Sequence, residues 1–178
     1  RQRIMVARAL LLKPKGIIAD EPVSMIDASL RATVLANLQK LKDDFGISVI
    51  YITHDLATAF QISQNIVVMY SGSVTEVGDV NKVVSDPKHP YTQLLIGSVP
   101  RANPDLQWSV DNLEASPDIG VTGETYCKFA DRCPHVIAKC VEKAPSLHQL
   151  DSHRGAACYL YDDAPLVERA TMNSLFVN

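Results

Sequence analysis

The 178-residue sequence contains no apolar run approaching the roughly eighteen residues that cross a bilayer. Its opening stretch, RQRIMVARAL, lacks the long apolar core of a secretory leader, so a cytoplasmic setting is the expectation. A basic stripe is missing too. Residues 1 to 100 hold ten Lys and Arg against nine Asp and Glu, and residues 101 to 178 hold seven against eleven, for a net charge of −3. Nucleic acid is therefore not an expected partner. The first 126 residues contain no cysteine, and the chain opens on Arg1 rather than methionine, as a piece of a longer parent would. Nowhere does G-x-x-x-x-G-K-[ST] occur, the glycine-rich loop and lysine that cradle nucleotide phosphates.

What is present begins with IMVARALLL, whose apolar spacing suits a helix punctuated by Pro14 and Gly16. GIIAD then forms a short continuous apolar run, as in a parallel strand covered on both faces. Asp27 can cap the amphipathic helix ASLRATVLANLQKLKDD. ISVIYIT reads as a second strand, LATAFQIS as a helix, and NIVVMY and SVTEVG as two more strands around a Ser71-Gly72 turn. Alternating strands and helices predict an α/β fold with an open parallel sheet, which binds ligands at the carboxyl ends of its strands.

Asp20, Glu21 and His54 all fall at such ends. Two adjacent carboxylates there can hold Mg²⁺ through one and orient a water through the other, and a histidine on a second strand can reach the same phosphate. The plainer reading makes Asp20 and Glu21 caps of the turn at Pro22, and His54 a helix cap.

The order of the pieces favours the chemistry. IIADEP, then SMID at Ser24 to Asp27, then VIYITHD resembles the second half of the ATP-binding subunit of ABC transporters. RQRIMVARAL resembles the helix after that family's signature sequence, IIADEP its Walker B strand, SMID its D-loop and THD its switch-histidine loop. SMID departs from the family's usual middle pair, Ala and Leu. The resemblance implies the C-terminal half of a P-loop NTPase sheet with flanking helices over residues 1 to 100. It further implies Asp20 as the Mg²⁺ residue, Glu21 as general base, His54 at the γ-phosphate of ATP, and Asp27 coupling two sites across a dimer. The implied partners are a second ATPase subunit, identical or homologous, membrane permeases, and indirectly an extracytoplasmic solute-binding protein. The implied place is the cytoplasmic face of the membrane.

SDPKHPYTQLLIGSVPR resembles the extension of dipeptide and oligopeptide importers, whose relatives also carry oligosaccharides or nickel; His89 and Tyr91 read as capping and packing residues. Residues 101 to 126 read as a linker in which Trp108 packs on a neighbour, 127 to 160 as a cysteine module, and 161 to 178 as a tail. Cys127, Cys133, Cys140 and Cys158 are separated by five, six and seventeen residues. Buried free thiols, two disulfides and a metal centre all fit such a cluster, and its density favours metal, either Zn²⁺ or an iron–sulfur cluster. The pattern resembles the C-terminal motif of peptide-importer ATPases, which implies a [4Fe-4S] cluster; such a cluster would serve as a staple for a module too small to hold itself together, or, as the less favoured reading, as a redox or iron sensor that adjusts transport. His135, His148 and His153 stand by as substitute ligands or second-sphere groups. The rival reading is a metal-binding regulatory or interaction protein with a non-catalytic α/β half.

Overall fold

The computed structural model describes residues 2–24, 26–99 and 125–177. Most of the expected linker, including Trp108, lies outside the described residues. The chain forms two compact units, Arg1–Ser63 and Gln64–Asn178.

The first unit runs α1 (Gln2–Leu10), β1 (Gly16–Asp20), α2 (Ala28–Phe45), β2 (Ser48–Ile52) and α3 (Leu56–Ile62). Leu35, Leu38 and Leu41 recur every three residues, so α2 presents one buried apolar face. Ala19, Leu38 and Leu41 form the core, with Leu10, Ile17, Val49 and Tyr51 packed on it. Gly46 ends α2 in the left-handed conformation at φ 63°, and its N–H closes on the carbonyls of Leu41 and Lys42. The chain then returns as β2, parallel to β1, in a register running from Gly16 opposite Ser48 to Asp20 opposite Ile52. This is the expected βαβ step. The sheet is covered on one face only among the described residues, since alternate positions Ile18, Ile50 and Ile52 remain largely exposed.

The second unit holds an antiparallel sheet that includes the two strands expected around the Ser71-Gly72 turn. Strands β3 (Asn65–Tyr70) and β4 (Ser73–Asp79) form an antiparallel hairpin, and with β5 (His148–Asp151) and β6 (Arg154–Ala156) they make a four-stranded sheet in the order β3-β4-β6-β5. The hairpin is antiparallel because of the Ser71-Gly72 turn, in which both residues take positive φ, 46° and 78°. Such a two-residue turn returns the chain antiparallel, whereas a parallel pair needs a long crossover. Helices α4 (Val80–Ser85), α5 (Pro90–Gly97) and α6 (Ala138–Glu142) complete the unit. β6, from the cysteine-bearing stretch, pairs with β4 through Glu76 opposite Ala156 and Gly78 opposite Arg154. The C-terminal stretch also folds onto this sheet. Leu175 is fully buried, the Asn65 side chain exchanges two hydrogen bonds with the backbone of Val177, and Val167 N–H reaches the Leu147 carbonyl.

Gly78 is the tightest point of that pairing. Its φ of 150° lies outside the range of ordinary side chains, and a Cβ there would stand 2.2 Å from the His153 carbonyl oxygen. Gly78→Ala is therefore expected to destabilise the second unit by about 2–4 kcal/mol, combining backbone strain with a forced shift of β6. Urea denaturation followed by a probe in this unit measures it; a loss below half a kcal/mol would show that β6 yields freely.

Candidate functional site

The first residue beyond β1 is Glu21. Its backbone N–H donates to the Ile52 carbonyl at 2.9 Å, extending the parallel ladder by one bond, and its φ is 42°, unusual for any residue but glycine. The turn that follows is closed by Ser24, whose N–H and hydroxyl both donate to the Glu21 carbonyl. Held this way, the Glu21 carboxylate meets His54 from the end of β2, Oε1 to Nδ1 at 2.7 Å. Both side chains are open to solvent. The structure thus brings together two residues 33 positions apart.

The bond limits what His54 can do. With Nδ1–H donating to Glu21, a neutral ring offers only a lone pair at Nε2, while an imidazolium can hold Glu21 and still donate Nε2–H to an anion. Asp20 ends β1 with its side chain exposed, beside Glu21 in the chain. Asp27 stands at the head of α2, but its side chain makes no capping bond. The capping expected of it is done by its backbone carbonyl alone, which accepts from Leu30 and Arg31. Nor does His54 cap a helix. That place belongs to Asp55, whose Oδ1 accepts from the N–H groups of Ala57 and Thr58 and whose own N–H donates to Thr53 Oγ1. The signal for Asp55 was in the sequence, an Asp directly before a helical run.

The cysteine stretch requires a correction. The four thiols are free, Cys127 half-buried and the others buried. All four line one small cavity together with His89 and His135. Among the described residues, however, no group of three or more His, Cys, Asp or Glu side chains is disposed to hold a metal ion. The expectation of a [4Fe-4S] cluster, or of Zn²⁺ in its place, on Cys127, Cys133, Cys140 and Cys158 does not fit this arrangement. Burial also favours the neutral thiols, raising Cys127 and Cys133 above the ordinary range and pushing Cys158 up to about 11. His148 and His153 are occupied with backbone carbonyls, those of Ala164 and Phe176. The rival reading as a metal-binding regulatory protein loses its basis with the metal.

Packing holds this region instead. Phe129 is buried against Tyr70, Tyr91 and the His89 ring, at centroid separations of 5.3, 5.5 and 6.0 Å. Glu76, fully buried on β4, accepts from the backbone N–H groups of Lys88 and His89 and so fixes the start of α5.

Against known proteins, residues 75–140 match the family described as oligopeptide/dipeptide transporter, C-terminal region. The dipeptide transport ATP-binding protein DppF of Haemophilus influenzae is 38% identical over 162 residues, covering 91% of this chain and 50% of that protein. The oligopeptide transport ATP-binding protein OppF of Salmonella typhimurium is 42% identical over 148 residues, 82% of this chain and 44% of that protein. DppF of Escherichia coli is 36% identical over 162 residues, 91% and 48%. The chain spans about half the length of the curated relatives it matches.

His89 gives a test of the packing. Its Nδ1 accepts the Tyr91 N–H and caps α5, and burial pulls its pKa down to about 4 from the ordinary 6.5. The unfolded chain takes up a proton below about pH 6.5 that the folded chain refuses, so this contribution is complete above that pH and is lost as pH falls toward 4. The loss is expected to reach about 3 kcal/mol. Glu76, raised by burial, acts in the opposite direction, so the comparison is with His89→Asn, which keeps a capping acceptor and does not titrate. Urea unfolding at pH 7.5 and 4.5 should show a smaller acid loss in the variant; equal losses would refute the assignment.

Proposed function

We propose that this chain is the C-terminal part of a subunit whose ATP hydrolysis energises import of peptides or related small solutes, a reading supported by its likeness to the oligopeptide and dipeptide transport ATP-binding proteins along the half of their length that it spans. The observation that carries this reading is the Glu21–His54 pair at the carboxyl ends of two adjacent parallel strands, where a nucleotide phosphate is met in such sheets.

In this reading Glu21 polarises the attacking water as general base. His54 holds that carboxylate in place and contacts the γ-phosphate. Asp20 fits Mg²⁺, because an exposed carboxylate offers the hard oxygen donor that this ion takes while keeping most of its waters. The ion would supply charge neutralisation at the phosphates. Asp27, with its carboxylate unused in capping, couples the site to that of a second ATPase subunit. Permease subunits in the membrane complete the assembly, which faces the cytoplasm, and a solute-binding protein outside delivers the cargo. No helix among the described residues is long and apolar enough to cross a membrane.

Replacing Glu21 by Gln keeps shape and hydrogen bonding but removes the charge that activates water. In the full-length protein assayed with its partners, turnover should fall by about 10² or more while ATP binding survives. Near-normal hydrolysis would reject the role. The 178 residues by themselves contain no phosphate-cradling loop, leaving carboxylates without the backbone nest and lysine that balance the charge of ATP. Calorimetric titration of this chain with Mg-ATP should accordingly show no specific binding, and micromolar affinity would contradict that expectation.

A further inference from the structure

Arg31 lies in the first turns of α2, four residues beyond Asp27. A cation there opposes the helix dipole, an effect that the acidic N-cap Asp27, one turn before it, offsets. The contacts of Arg31 reach elsewhere. The Nε donates to the carbonyl of Ile26, immediately before Asp27, at 3.0 Å, and Nη1 stands 3.9 Å from Asp55 Oδ2, immediately after His54. Asp55 is itself fixed, its other carboxylate oxygen capping α3. A planar guanidinium can serve two such acceptors at once, which a lysine ammonium on its flexible stem does less well. The ion pair is part-exposed on both sides, so its contribution to stability is small and its effect is one of placement.

Resting on the reading of the site as an ATPase centre, we propose that Arg31 is a positioning residue that ties the Asp27 loop to the His54 loop, and through the His54–Glu21 bond sets the general base according to the state of Asp27. The connection is continuous: Ile26 carbonyl, Arg31, Asp55, the adjacent His54, then Glu21. An event at Asp27, such as the approach of a second subunit, thereby reaches the base without passing through the nucleotide.

The test uses the full-length protein with its transport partners, comparing Arg31→Met, Arg31→Lys, Asp27→Ala, the Asp27→Ala/Arg31→Met double variant and Glu21→Gln. Arg31→Met should lower kcat about tenfold with KM for Mg-ATP within about twofold and the melting temperature unchanged, since the reacting groups stay in place and only their alignment loosens. Arg31→Lys should recover part of the loss. The double variant should be no slower than the slower single variant, because both act through one connection. Wild-type kcat in Arg31→Met beside an inactive Glu21→Gln overturns this proposal alone. So does a loss that tracks a lowered melting temperature, or additive losses in the double variant. Full activity in Glu21→Gln overturns the site reading and this proposal with it.

Discussion

The parallel register between β1 and β2 is the constraint on which the candidate site depends. Because Asp20 lies opposite Ile52 and the Glu21 N–H takes one further bond to the Ile52 carbonyl, the residues that follow the two strands leave the sheet side by side. A shift of one residue would turn Glu21 to the other face and break the 2.7 Å contact with His54. The register in turn rests on α2, whose buried leucines seat Ala19 and whose end at Gly46 fixes where β2 begins. The positive φ of Glu21 is the local strain that this ladder sustains.

The second unit shows how polar and apolar burial can do what a metal was expected to do. A cluster of four cysteines in a short loop-rich stretch suggests a centre that ties the loops together. Here the loops are tied by β6 pairing with β4, by Phe129 against two tyrosines, and by a buried glutamate that satisfies two backbone donors at a helix start. The thiols share a cavity without being disposed as ligands.

The sequence displayed the local features of this structure well and the distant ones poorly. The βαβ step, the Ser71-Gly72 turn and the pairing of motifs at Glu21 and His54 follow from periodicity, turn chemistry and strand ends, all readable within a few residues. The extension of the β3–β4 hairpin into a four-stranded sheet was hidden because β4 finds its second neighbour about 80 positions away, and a three-residue strand such as Arg154–Ala156 carries no pattern of its own. The density of cysteines suggested a metal; the four thiols do line one cavity, but spacing does not encode the direction of a thiol. Asp27 was expected to cap and does not, since a backbone carbonyl can open a helix without help from the side chain.

The clasp between Asn65 and Val177 has a consequence for the order in which the second unit folds. It joins residues 112 positions apart, and Leu175, fully buried, packs against Gly155 in the same unit. The β3–β4 hairpin closes across a two-residue turn and can form early, whereas the contacts of Val177 and Leu175 require a long loop to close first and therefore come late.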